Sequence, residues 1–105
     1  MKFVKIVTTV PSAYADRVRK AAGDAGAGRL GNYSYASFSM KGVGRFLPLE
    51  GANPAVGSVG KHEEVEEERI EWTCDSALVH KVIEAIRAAH PYEEPVIDVY
   101  PLETL

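Results

Sequence analysis

HEEVEEERIEWTC, residues 62–74, is the stretch that decides the fold. Ile70, Trp72 and Cys74 alternate with polar neighbours, the period-two pattern of a strand with one buried face. Val65 has the opposite parity, which predicts either a bulge or apolar groups on both faces. Directly after this strand, Asp75 or Ser76 stands where a helix N-cap belongs. Val79, Val82, Ile83, Ile86 and Ala89 then form one apolar stripe at helical spacing. Pro91 stops that helix, and VIDVY at 96–100 reads as a short closing strand.

Upstream, residues 42–61 (GVGRFLPLEGANPAVGSVGK) carry five glycines and two prolines and predict an extended, ordered excursion. Before it, Ser34, Ala36, Phe38 and Met40 alternate with Tyr33, Tyr35, Ser37 and Ser39, so residues 33–41 read as a strand. Residues 12–26 read as a helix with Ser12 as N-cap, a stripe of Tyr14, Val18, Ala21, Ala22 and Ala25, and Gly23 and Gly26 at its end. KFVKIVTTV at 2–10 is a strand with Val4, Ile6, Thr8 and Val10 on one face and Phe3 and Val7 on the other.

The resulting order, β-α-β-β-α-β, is the ferredoxin-like α+β sandwich: a four-stranded sheet with two helices on one face, in a single domain over 1–105. The first and third strands are expected at the centre, parallel to each other. Both helices cover the same side, so Phe3, Val7, Tyr33 and Tyr35 are expected to need a second surface, which predicts a homo-oligomer, a dimer or a trimer. A protein partner is the other candidate for that surface.

Charge is divided along the chain. Through Lys61 there are nine basic and three acidic residues; from His62 onward there are three basic and twelve acidic. The acidic strand 62–74 is expected beside the lysine-bearing strand 2–10, where opposite charges across strands help by roughly 0.2–1 kcal/mol each. The net charge of −3 argues against nucleic acid as a partner. No apolar run reaches the length of a membrane span and no signal-peptide core follows Lys5, so a cytoplasmic location without membrane contact is expected. One cysteine, Cys74, excludes a disulfide framework and reads as a small core hydrophobe.

GAGRLG at 26–31 spells the dinucleotide fingerprint, yet a helix precedes it and a strand follows, the reverse of what a pyrophosphate needs. A helix end and a turn account for every glycine in it. HPYEEP at 90–95 is the densest cluster of chemically capable side chains. Its structural reading is a cation at the last helical turn and two prolines that stiffen the entry to the strand. Its functional reading is a ligand site of His90, Tyr92 and Glu93 facing Gly51 and Asn53 of the excursion, or a divalent metal ion on His62, His90 and Glu93. An enzymatic reading has only His90 with Glu93 or Glu94 as an acid–base pair.

GAGRLGNY (26–33), GVGRF (42–46), PLEGANP (48–54), GSVG (57–60), EERIE (67–71) and HPYEEP (90–95) together resemble the domain inserted in YqfO-type, Nif-three-like proteins. That domain is similar to the PII signalling and CutA divalent-ion tolerance proteins. The resemblance implies a trimer-forming module without catalysis of its own, because the dinuclear metal centre of the long proteins belongs to flanking domains. The expected function is therefore an oligomeric module binding a small ligand or divalent ion at a subunit boundary, or else a purely structural assembly domain.

Overall fold

In the computed structural model, which describes residues 2–103, the strand expected over 62–74 runs one residue later, over thirteen residues from Glu63 to Asp75. The elements are β1 (Phe3–Pro11), α1 (Ala15–Asp24), β2 (Phe38–Phe46), β3 (Glu63–Asp75), α2 (Val79–Ala89) and β4 (Ile97–Pro101). One-turn 3-10 helices, Ser12–Tyr14 and Ser76–Leu78, lead into the two α-helices. The sheet order is β2-β3-β1-β4. This is the ferredoxin-like α+β architecture, with β1 and β3 central as the sequence predicts.

Those central strands are antiparallel, however, from Phe3 opposite Asp75 to Pro11 opposite Glu67. The expectation of a parallel pair fails for a topological reason. The α1 crossover makes β1 and β2 run the same way, and the β2–β3 connection then reverses the chain, so β3 runs against both.

The register puts Val4, Ile6 and Thr8 of β1 opposite Cys74, Trp72 and Ile70. Ile6, Val10, Ile70, Trp72 and Cys74 meet Val18 and Ala22 of α1 and Val82 and Ile86 of α2 in one fully buried cluster, with Val4 packed against it and partly buried. Trp72 is 1% exposed and is the largest side chain in it. Cys74 is buried there, and burial raises its thiol pKa. Helix α1 stops where Gly26, at φ +109°, lets its own N–H reach the Gly23 carbonyl and the Ala27 N–H reach the Ala22 carbonyl, both at 3.0 Å. Ala22 and Ala27 are buried, so the helix end is also a packing contact. At the second helix the Asp75 carboxylate accepts from the Ala77 N–H at 2.9 Å, so Asp75 is the cap there. Ser12 makes no such bond; it lies inside the 3-10 turn rather than before it.

The second strand, read from the sequence as 33–41, is displaced. It begins at Phe38 instead of 33 and continues to Phe46, five residues into the expected excursion. Tyr35 is the cause. Its φ of +61° breaks the extended backbone, its ring lies against Gly23, and its hydroxyl donates to Asp24 at 2.7 Å. Tyr33 and Tyr35 are therefore on the α1–β2 connection, exposed, and not on the sheet.

Pairing between β2 and β3 runs without interruption from Phe38–Glu71 to Phe46–Glu63, so no bulge accommodates Val65. Instead both faces of β3 are used: Val65, Glu67, Arg69 and Glu71 point away from the helices. That helix-free face is mixed in character. Val7 is already buried on it within one chain, while Phe38, Met40 and Tyr100 stay exposed. The adjacency of basic and acidic strands holds, but the lysines are not the partners. Arg19 of α1 meets Glu68 at 2.7 Å and Arg45 of β2 meets Glu64 at 3.1 Å, whereas Lys5 reaches the Thr73 hydroxyl at 3.4 Å.

Candidate functional site

His90 follows the last turn of α2 with ψ of 137°, extended because Pro91 disfavours a helical residue before it. The residue is 6% exposed. Nδ1 accepts the Tyr92 N–H at 3.1 Å, which places the ring proton on Nε2, and Nε2 donates to the Thr9 carbonyl at 2.8 Å. That carbonyl lies on β1 just past the last β4 pair, Thr8–Ile97. Both nitrogens are thus occupied, and burial lowers the imidazole pKa so that the neutral form persists. His90 is a latch between α2 and β1.

The latch aims Tyr92. Its ring sits 5.0 Å from that of His90 and 5.7 Å, edge to face, from that of Phe46. Its hydroxyl donates to Glu67 Oε2 at 2.9 Å, and burial together with this carboxylate holds the phenol pKa far above its usual range. Glu67 is 7% exposed. It fits because β2 presents glycines opposite it: Gly42 pairs with Glu67 in register, and a Cβ at Gly44 would collide with the carboxylate.

Glu93, one residue on, accepts the Asn53 N–H at 2.8 Å. Gly51 stands at the bend where the Ala52 N–H returns to the Leu49 carbonyl, which turns Asn53 toward Glu93. The β2–β3 connection and the α2–β4 connection are joined by this one bond. Between them lies a groove of ≈ 740 Å³, with Gly42, Gly44 and Glu67 on its floor and Phe46, Leu49 and Tyr92 among its walls. Ligand clefts usually measure about 300–1,000 Å³.

Of the ligand residues read from the sequence, Tyr92 and Glu93 line the groove, Asn53 holds its rim, Gly51 shapes the rim, and His90 lies behind Tyr92. The metal set does not assemble in one chain. His62 is exposed just before β3, both His90 nitrogens are taken, and Glu93 is bonded to Asn53. Among the described residues, no three His, Cys, Asp or Glu side chains gather as a metal ion requires. Glu67, Gly44 and Phe46 are additional site residues. The parity of Glu67 against Ile70 and Trp72, and the Gly-x-Gly at 42–44, are the signals that point to them.

Comparison with known proteins follows this geometry. A Halalkalibacterium halodurans protein named GTP cyclohydrolase 1 type 2 homolog is 50% identical over 98 residues, 93% of this chain and 26% of that protein. A Bacillus subtilis protein of the same name is 46% identical over 99 residues, again 26% of its length. In structure, a Bacillus cereus protein related to NIF3 superposes with TM-score 0.85 at 50% identity, over 98% of this chain and 26% of that one. The chain is a homologue of one segment of the NIF3-related proteins. It spans about a quarter of the length of these relatives. The periplasmic divalent cation tolerance protein CutA from Archaeoglobus fulgidus gives a TM-score of 0.70 at 22% identity, over 97% of this chain and 85% of CutA; it shows that the NIF3-related segment has the CutA fold. No family model matches the chain. No helix among the described residues is long and apolar enough to cross a membrane.

Proposed function

We propose that this PII/CutA-like module is non-catalytic and binds a small ligand in the groove between residues 47–56 and 92–96. The observation that carries this reading is the groove itself: a largely apolar cleft of ≈ 740 Å³ whose two walls are tied together by the Asn53–Glu93 bond. Occupancy would brace both connections at once and so alter the surface they present. His90 and Glu93, the acid–base pair available to an enzyme, are each committed to backbone groups, which favours binding over turnover.

Gly42 provides the test. A Cβ added there meets nothing within 4 Å and suffers no positive φ, so Gly42→Leu extends a side chain into the groove from an unstrained backbone. Thermal unfolding of wild type and Gly42→Leu is compared across a broad set of small metabolites and divalent ions. The expected result is a compound that raises the wild-type midpoint and leaves the variant unmoved. A set that stabilises neither protein, or both equally, overturns the groove.

Assembly is the second part of the proposal. Phe38 (62% exposed), Met40 (46%) and Tyr100 (44%) stand on the helix-free face and favour a homo-oligomer built through it, either a dimer or a trimer. Sedimentation is expected to show a species larger than a monomer at micromolar concentration; a monodisperse monomer contradicts this.

A further inference from the structure

Glu67 is the one buried carboxylate of the groove, and its charge has no protein counter-ion. Among the described residues no Lys, Arg or His lies within ion-pair distance of it. The cation two positions along the same face, Arg69, turns its Nε to Glu71 at 2.9 Å. His90, behind Tyr92, is kept neutral by burial, with Nδ1 accepting the Tyr92 N–H. A carboxylate withdrawn from water without a positive partner is costly, and a single neutral hydroxyl on Oε2 offsets only part of that.

The other oxygen, Oε1, lies over Gly44, where the absent side chain leaves it open to the groove. The groove around it is lined by backbone of β2 and by the rings of Tyr92 and Phe46; Lys41, Arg45 and Arg69 also line it, and both arginines are paired, to Glu64 and Glu71. We infer that the groove selects a protonated amine carrying an apolar body, its ammonium on Glu67 Oε1 and its body along Phe46, Leu49 and Val56. This rests on the groove being a ligand site and adds the ligand's chemical class. An ammonium donates charge-assisted hydrogen bonds to the free oxygen and presents its positive charge to aromatic faces. A bare divalent ion suits the place less well, since it needs several oxygen or nitrogen ligands and the floor otherwise offers two glycines. An anion seated on that floor meets the Glu67 carboxylate and is disfavoured there, whatever the cations higher in the lining.

Three probes that share one phenethyl body separate these cases: phenethylammonium, its neutral analogue 2-phenylethanol and the anion 3-phenylpropionate. Each is titrated into the ¹⁵N-labelled chain while the amides of Gly42, Gly44, Glu67 and Tyr92 are followed. Phenethylammonium is expected to move these signals and to bind roughly tenfold tighter than the alcohol, the scale of one charge-assisted contact. Glu67→Gln, which keeps shape and removes charge, is expected to abolish that preference while its remaining spectrum stays that of wild type. If the alcohol or the acid binds as well as the amine, or Glu67→Gln keeps the preference, the amine assignment is overturned and the groove stands. If none of the three moves the groove signals, the amine assignment is again overturned, and the Gly42→Leu comparison then judges the groove independently.

Discussion

The two faces of this sheet are built from the same strands and put to different uses. On the helix side, Ile6, Ile70, Trp72, Val82 and Ile86 interlock with no exposure beyond 1%. On the other side, Val7 is buried, but the same strands carry Glu67, Arg69 and Glu71, leave Phe38 and Met40 exposed, and open a groove over two glycines. Close packing leaves a side chain one place to be, whereas a face with gaps and unpaired charge leaves room for another molecule. Stability belongs to the first face, and the proposed recognition to the second.

Truncating Trp72 to Ala is the strongest way to break that division. It removes the largest fully buried side chain and should cost about 3–5 kcal/mol in urea unfolding. A loss below about 1 kcal/mol, the scale of an ordinary surface change, would mean that the helix side is not the principal core.

The glycines of β2 sharpen the comparison within one face. Gly44→Ala drives a Cβ into the Glu67 carboxylate and should cost about 1–3 kcal/mol, whereas Gly42→Ala faces open space and should stay within about 0.5 kcal/mol of wild type. Equal effects at the two positions would remove Glu67 from its place over Gly44.

A smaller effect comes from His90. Its folded-state pKa lies below the ordinary 6.5, so as pH falls below 6.5 the unfolded chain takes up a proton that the folded chain resists. The stabilising contribution is present above 6.5 and is lost as pH drops toward the folded value. Denaturation midpoints should fall in that window, and His90→Gln, less stable throughout, should show a shallower fall. An identical slope in the variant would show that His90 is not buried neutral.

Much of this was legible in the chain because it depends on local spacing. The parity of Ile70, Trp72 and Cys74, the Asp75 cap and the Val82–Ile86–Ala89 stripe each concern neighbours a few residues apart. The start of β2 was not, because Tyr35 adopts its positive φ in the company of Gly23 and Asp24, a contact made across the end of α1. Gly42 and Gly44 looked like loop glycines for a related reason. They lie in a strand, and what they make room for is a carboxylate on the neighbouring strand. The site was half visible: HPYEEP marks Tyr92 and Glu93 by composition, but the Tyr92–Glu67 and Glu93–Asn53 bonds span 25 and 40 residues. Only the register of the sheet brings those together.

Amide hydrogen exchange tests the division of the faces and the closure of the groove in one experiment. The account predicts strong protection along β1 and β3, weak protection at the unbonded amides of 47–62, and slowed exchange at Asn53, whose bond to Glu93 is the one there that reaches the α2–β4 connection and is released in Glu93→Ala with β1 and β3 unchanged. An Asn53 amide that exchanges as fast as the unbonded amides of 47–62 in the wild-type chain would contradict it, because the two walls of the groove would then not be joined.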